Sequence, residues 1–99
     1  MKFLGTMESV NNVLSVGGVK VTELVEQYGT PLYVMDEAQI REACRGYCNG
    51  FQVEQRGNRV AYAGKAFLTL AMCQIISEEG LCLDVVSGGE LYTAYKSGF

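Results

Sequence analysis

Histidine is absent from this chain of 99 residues, and proline occurs only once. Without histidine, and without a Cys-x-x-Cys pair, the cysteines do not form a recognisable set of zinc ligands. The four cysteines are Cys44, Cys48, Cys73 and Cys82. We therefore expect reduced, mostly buried thiols and no metal site.

Basic residues and long apolar runs are also scarce. Eight Lys and Arg face 11 Asp and Glu, and a net charge of −3 argues against a nucleic-acid partner. The N-terminus has no apolar stretch long enough for a signal peptide. The most apolar window, residues 67–76, is about half a membrane span and contains Thr69 and Gln74. We expect a globular cytoplasmic protein with no membrane partner.

Short apolar strands alternate with helices from residue 32 onward. The predicted strands are 32–35, 59–63 and 81–86, and the predicted helices are 37–48, 67–79 and 90–96. This alternation predicts an α/β fold with a parallel sheet and right-handed crossovers. The helix 67–79 is apolar almost all round, so we expect it to be buried on most sides.

The residues before this alternation are harder to interpret. A short strand is predicted within 10–16, followed by a glycine turn at 17–18. Apolar residues at helical spacing predict a helix over 19–28, with Thr22 as its N-cap and Gly29 as its C-cap.

Two further helix starts have the spacing of a capping box. Asp36 precedes Gln39 by three residues, and Ser87 precedes Glu90 by three. Between these two helix starts, residues 52–58 are polar and predict a loop. Capping explains Glu90 by itself, but a catalytic role for its carboxylate stays open.

A single lysine interrupts the apolar sequence where the second strand gives way to a helix. Lys65 follows Gly64 there, and Asp84 comes 19 residues later, one β-α-β crossover away. If the two strands are neighbours, the amine and the carboxylate meet at the carboxyl edge of the sheet. An amine in apolar surroundings can lose its proton and attack a carbonyl, such as the aldehyde of pyridoxal phosphate. The alternatives are a solvated lysine at a strand end and a turn carboxylate.

Two motifs resemble the diaminopimelate decarboxylases, within the fold-type III pyridoxal-phosphate decarboxylase family. They are Tyr-Ala-Gly-Lys-Ala-Phe at 62–67 and Leu-Asp-Val-Val-Ser-Gly-Gly-Glu-Leu-Tyr at 83–92. The lead-in Tyr-Gly-Thr-Pro-Leu-Tyr-Val-Met-Asp-Glu at 28–37 resembles that family too. The resemblance runs from about residue 16 to 99 and covers only the N-terminal part of a family member.

The resemblance implies the N-terminal portion of a pyridoxal-phosphate-binding (β/α)8 TIM barrel, incomplete in this chain. Residues 1–35 would be a lead-in packing with a β-rich domain, and residues 36–99 the first βα units of the barrel. The lysine at the Lys65 position forms the Schiff base with pyridoxal 5'-phosphate, and a carboxylate at the Asp84 position lies near it. The implied reaction is decarboxylation of meso-2,6-diaminopimelate, a small amino-acid substrate, to L-lysine and CO2 by a homodimer.

Two departures from the family pattern keep alternatives open. Gly64 stands where many relatives have a larger residue, and Phe67 replaces a frequent asparagine. The family's other cofactor contacts are expected beyond Phe99. The alternatives are an inactive remnant or binding module without the distal cofactor site, and a related ornithine or arginine decarboxylase.

Overall fold

The structure is a computed structural model that describes residues 2–99. The chain divides into two compact units, Met1–Glu42 and Ala43–Phe99. Across the described residues, no helix combines the length and the apolar character that a membrane crossing requires.

The first unit contains a three-stranded antiparallel sheet with the order β1-β2-β3. The strands are β1 (Glu8–Val10), β2 (Val13–Val16) and β3 (Val19–Lys20). Two-residue turns at 11–12 and 17–18 connect them, with positive φ at both residues of each turn. Such turns match the right-handed twist of the strands they join. The glycine turn was predicted, but the Asn11-Asn12 turn was not, so one expected strand is two.

Helix α1 (Val21–Tyr28) follows β3 directly. Lys20 is its N-cap residue and makes no side-chain cap, so the prediction of Thr22 was wrong. Gly29 ends the helix with φ 77°, as predicted. Residues 32–35 form no strand, which corrects the prediction for this segment. A strand is defined by its ladder of backbone hydrogen bonds, and within residues 2–99 this segment has no ladder partner.

Helix α2 (Glu37–Gly50) begins at the predicted cap. The Asp36 carboxylate accepts a hydrogen bond from the Gln39 N–H at 3.2 Å, which satisfies one free donor of the first turn. Its second oxygen accepts from the backbone N–H and the hydroxyl of Thr6, each at 2.8 Å. These hydrogen bonds lower the pKa of Asp36, and the two from Thr6 contribute most to the lowering. The polar segment after α2 contains a further short helix, α3 (Val53–Arg56), where only a loop was expected.

The second unit holds two parallel strands and two longer helices. The strands are β4 (Ala61–Ala63) and β5 (Cys82–Asp84), and the helices are α4 (Leu70–Glu78) and α5 (Gly88–Ser97). The register pairs Ala61 with Cys82, Tyr62 with Leu83 and Ala63 with Asp84. Both strands are shorter than predicted, but the parallel pairing through a helical crossover is confirmed.

Helix α4 begins three residues later than the sequence suggested. A single 3-10 turn, Gly64–Ala66, follows β4, and Phe67 is extended with φ −169°. Thr69 is the N-cap, because its hydroxyl accepts a hydrogen bond from the Met72 N–H at 3.0 Å. Gly80, with φ 79°, follows the last turn and allows the chain to enter β5.

The core of the second unit lies on one face of α4. Cys73 and Ile76 are fully buried, and Met72 is nearly so. Leu70 is 51% exposed, so the expectation of a helix buried on most sides was wrong. Among residues 2–99, none of the four cysteines is in a disulfide; Cys44 and Cys73 are buried and the other two are half-buried.

Candidate functional site at the carboxyl edge of the parallel strands

Lys65 occupies the middle of the 3-10 turn that follows β4. Asp84 is the last residue of β5 and the direct partner of Ala63, two residues before Lys65. Because the strands are parallel, their carboxyl ends lie at one edge of the sheet. The predicted placement of Lys65 and Asp84 at the same edge is therefore confirmed.

The two charged side chains are both exposed. Within residues 2–99, the Lys65 amine makes no hydrogen bond or ion pair, including none with Asp84. The strand ladder therefore brings the amine and the carboxylate to one edge without bonding them to each other. An amine in this state is available to an external carbonyl compound.

Gly64 is the buried first residue of this turn, and its surroundings leave little room for a side chain. A Cβ atom built on Gly64 would lie 3.1 Å from the carbonyl oxygen of Asp84, which is backbone. It would also lie 3.3 Å from Oε1 of Glu90 and 3.5 Å from Cδ2 of Leu68. Glycine here allows β5 and the first turn of α5 to approach the Lys65 turn closely.

Glu90 reaches this same spot from the first turn of α5. Its backbone N–H donates to the Ser87 hydroxyl at 3.1 Å, which is half of the predicted capping box. The other half differs, because Oε2 of Glu90 accepts from the N–H of Val86 at 2.9 Å. Oε1 is buried and has no hydrogen-bond partner among the described residues. The Ser-x-x-Glu spacing located this side chain, but it could not show that the carboxylate approaches Gly64.

The Tyr62 side chain forms a hydrogen bond across the Lys65 turn. Its hydroxyl donates a hydrogen bond of 2.7 Å to the carbonyl oxygen of Phe67. This bond joins the residues on either side of the segment 63–66. Burial, chiefly, raises the pKa of the Tyr62 hydroxyl. No local sequence pattern indicates this bond between residues five positions apart.

The remaining polar groups near the edge have structural roles. The Ser87 hydroxyl is used as the N-cap of α5, which begins with the Gly88-Gly89 pair. No group of three or more His, Cys, Asp or Glu residues in the described part of the chain is arranged to hold a metal ion. Within residues 2–99, Lys65 and Asp84 are the exposed charged residues at this edge that make no hydrogen bond or ion pair.

A sequence profile of the family described as pyridoxal-dependent decarboxylase, pyridoxal binding domain, matches residues 37–99. The chain belongs to this family of pyridoxal-dependent decarboxylases. The matched residues include Lys65, Gly64, Asp84 and Glu90, so the whole edge described above lies inside the family's pyridoxal binding domain. The predicted resemblance is confirmed.

The relatives are similar over nearly the whole chain. The diaminopimelate decarboxylase of Bacillus methanolicus is 55% identical over 100 residues, covering 100% of this chain and 23% of that protein. The Bacillus subtilis enzyme of the same name is 55% identical over 86 residues, covering 87% of this chain and 20% of that protein. The chain thus spans about a fifth of the length of these relatives.

A solved structure agrees with these matches. The diaminopimelate decarboxylase from M. jannaschii, crystallised with L-lysine, superposes with a TM-score of 0.84 at 41% identity. The match covers 94% of this chain and 22% of that one. The predicted fold class, the N-terminal portion of a pyridoxal-phosphate-binding β/α barrel, is confirmed for this pyridoxal-dependent decarboxylase chain.

Proposed function

We propose that the full-length protein is a diaminopimelate decarboxylase that uses pyridoxal 5'-phosphate, and that Lys65 binds this cofactor. The observation that carries the proposal is the β4–β5 ladder, which sets Lys65 and Asp84 at one edge of a pyridoxal binding domain. The names of the relatives at 55% identity support the choice of substrate.

The residues at this edge fit the aldehyde end of the cofactor. Within residues 2–99, the Lys65 amine is exposed and unpaired, so its nitrogen is free to bond to an aldehyde carbon. Gly64 leaves the backbone beside it without a side chain. When bound, pyridoxal phosphate supplies the electron sink that accepts the electrons released as a carboxylate leaves its carbon.

Asp84 is proposed as the carboxylate that assists Lys65. The amine must be neutral to attack a carbonyl and is protonated when displaced, so a nearby group that accepts and returns a proton is useful. Asp84 lies at the correct edge and is exposed, which allows it to exchange protons with solvent and with Lys65.

The proposed overall reaction replaces one carboxylate of meso-2,6-diaminopimelate with a proton, giving L-lysine and CO2. We also propose that residues 1–35 are a lead-in segment and residues 36–99 the first βα units of the barrel. The full-length protein is further proposed to be a cytoplasmic homodimer. Size-exclusion chromatography with light scattering measures the molar mass of the full-length protein and so tests the proposed dimer.

The experiment is a decarboxylation assay on the full-length protein with pyridoxal phosphate. Meso-2,6-diaminopimelate, L-ornithine and L-arginine are supplied separately, and CO2 and the amine products are measured. We expect L-lysine from the first substrate and little product from the other two. Lys65→Ala should reduce product to background, whereas Lys20→Ala, which removes an exposed lysine of β3, should not.

Each other outcome rejects a part of the proposal. Preference for ornithine or arginine identifies a different decarboxylase of the same family. Absence of turnover with every substrate, in a folded protein, supports an inactive remnant. Turnover of Lys65→Ala at the wild-type rate rejects the assignment of the lysine.

A further inference from the structure

The backbone that carries Lys65 is bridged by a side chain from outside the turn. The Tyr62 hydroxyl donates to the carbonyl oxygen of Phe67 at 2.7 Å, the usual length of a hydroxyl hydrogen bond. No backbone N–H in the described part of the chain donates to that oxygen, so the tyrosine is its donor. The bond therefore satisfies a carbonyl group that the secondary structure leaves unpaired.

Both ends of this bond belong to ordered elements or lie close to them. Tyr62 is paired with Leu83 in the parallel ladder, and its side chain is half-buried. Its ring has only two side-chain torsions, which limits where the hydroxyl can go. Phe67 is extended, with φ −169°, and precedes the N-cap Thr69 by two residues. The hydroxyl thus connects the end of β4 to the entry of α4, with Lys65 between them.

The side chains of the turn itself contribute no such restraint. Within residues 2–99, the Lys65 side chain makes no hydrogen bond or ion pair, and its neighbours Gly64 and Ala66 have no polar side chain. A Cβ atom on Gly64 would lie 3.1 Å from the Asp84 carbonyl oxygen, so β5 limits the first residue of the turn. Beyond that residue, the bond from Tyr62 is the side-chain contact that restrains the backbone.

The neighbouring polar side chains already have other partners. The Ser87 hydroxyl caps α5, and Oε2 of Glu90 accepts from the Val86 N–H. Asp84 is exposed at the end of β5. None of these groups bonds to the segment 64–67 among the described residues, which leaves Tyr62 as the residue that bridges it.

Restraint of this backbone matters for a ligand that must arrive in one orientation. An exposed lysine side chain has many conformations, so the fold directs its amine chiefly through the backbone. When only a fraction of the molecules has the competent conformation, the apparent affinity for the ligand falls by that fraction. Loss of one hydrogen bond of ordinary strength corresponds to a change of about five-fold in such a population.

We propose that Tyr62 is a positioning residue for Lys65: its hydroxyl, bonded to the Phe67 carbonyl oxygen, holds the turn in the conformation in which the amine meets an incoming aldehyde. The inference rests on the proposed function, because the aldehyde in question is that of pyridoxal phosphate. Tyr62 acts through the backbone and not on the amine. The reaction of Lys65 with a small reagent that needs no orientation should therefore not depend on the hydroxyl.

The test compares an oriented ligand with an unoriented reagent. Cofactor-free full-length protein is titrated with pyridoxal phosphate, and the Kd is measured from the change in absorbance. We expect Tyr62→Phe, which keeps the ring but lacks the donor, to bind about five-fold more weakly than wild type. In parallel, the rate at which trace acetic anhydride acetylates Lys65 is read by mass spectrometry. That rate should be the same in the variant and in wild type.

Two control variants separate positioning from general stability. Thr69→Ala removes the cap of α4 just beyond the turn and is expected to cost a similar amount of stability. Tyr33→Phe makes the same chemical change at a tyrosine that is 95% exposed. Both should bind pyridoxal phosphate with the wild-type Kd. A merely structural role for Tyr62 would make Tyr62→Phe and Thr69→Ala alike.

Hydrogen exchange follows the turn without any cofactor. In cofactor-free Tyr62→Phe, the amides of 64–68 should exchange about five-fold faster than in wild type, because the bridge across them is lost. In Thr69→Ala, the faster exchange should instead begin at Leu70, the first residue of α4. If Tyr62→Phe does not fold, wild-type exchange decides the matter. Amides of 64–68 that exchange like an unfolded chain overturn the proposal, and protected amides support it.

The proposal is overturned if folded Tyr62→Phe binds pyridoxal phosphate as tightly as wild type, or if Thr69→Ala binds as weakly as Tyr62→Phe. Equal losses of acetylation rate and of cofactor affinity also overturn it, because the reactivity of the amine and not its placement has then changed. These results leave the proposed function intact. That function fails separately, if wild-type Lys65 does not bind pyridoxal phosphate while exchange of the turn still responds to Tyr62→Phe.

Discussion

The Tyr62 hydroxyl and the Phe67 carbonyl oxygen are joined by a 2.7 Å hydrogen bond that spans the turn carrying Lys65. The bond closes a loop whose two ends leave β4 and approach the N-cap of α4. The bond restricts the backbone of the segment 63–66, which carries Lys65. The Lys65 turn is therefore bridged by the side chain of a tyrosine that lies outside it.

Tyr62→Phe should destabilise the full chain by about 1 kcal/mol at neutral pH, because the Phe67 carbonyl loses its donor. The substitution should also make the free energy of unfolding less dependent on pH in the alkaline range. Burial raises the pKa of Tyr62 above the ordinary tyrosine value of about 10. At a pH between the ordinary pKa and the raised pKa, Tyr62 loses its proton in the unfolded chain and keeps it in the folded chain. The free energy of unfolding therefore falls as pH rises through this range.

Urea unfolding at about pH 8 and about pH 11 measures both effects. Tyr33→Phe is the matched control, because Tyr33 is 95% exposed. The stability lost between the two pH values should be smaller in Tyr62→Phe than in wild type or Tyr33→Phe. Equal losses in all three proteins would show that Tyr62 titrates alike in the folded and unfolded chains.

Gly64→Ala should destabilise the chain by about 1–3 kcal/mol, the usual range for overpacking. The new Cβ would lie 3.1 Å from the Asp84 carbonyl oxygen, a backbone atom at the end of the β4–β5 ladder. Gly46→Ala is the control, since Gly46 lies inside α2 and a Cβ there meets nothing within 4 Å. That change should stabilise by about 0.5–1 kcal/mol. If urea unfolding shows that Gly64→Ala and Gly46→Ala change the free energy of unfolding in the same direction, the close packing at Gly64 is contradicted.

Thr69→Ala should reduce the stability of the full chain by about 1 kcal/mol. The Thr69 hydroxyl is the side-chain cap of α4 and accepts from the Met72 N–H at 3.0 Å. Thr69→Ser keeps the accepting oxygen, so this variant should lose little stability. Thermal unfolding of the two variants provides the comparison. A loss as large in serine as in alanine would mean that the methyl group, and not the cap, matters at this position.

Local signals predicted much of this fold. Gly29 and the spacing of Asp36 and Gln39 correctly indicated an end and a start of helices. The parallel pairing followed from two short apolar strands separated by a helix, and it placed Lys65 and Asp84 at one edge. These features depend on residues close together in the chain or on one crossover.

The incorrect predictions concern features that tertiary contacts, and not local sequence, determine. The residues before Leu70 are apolar like α4 itself, so periodicity placed the helix start too early, although Thr69 could have been recognised as a cap. Residues 32–35 have the composition of a strand, but pairing, not composition, makes one. The approach of Glu90 to Gly64 joins residues 26 positions apart and has no local signature.

The attachment site of the cofactor tests the central claim most directly. Full-length protein is incubated with pyridoxal phosphate, reduced with borohydride, digested and mapped by mass spectrometry. The chain offers lysines at Lys2, Lys20, Lys65 and Lys96. We predict one pyridoxyl group per chain, on Lys65, and none in Lys65→Ala. A label on another lysine at equal yield, or no stoichiometric label on the folded protein, would contradict the assignment of Lys65 as the cofactor-binding residue.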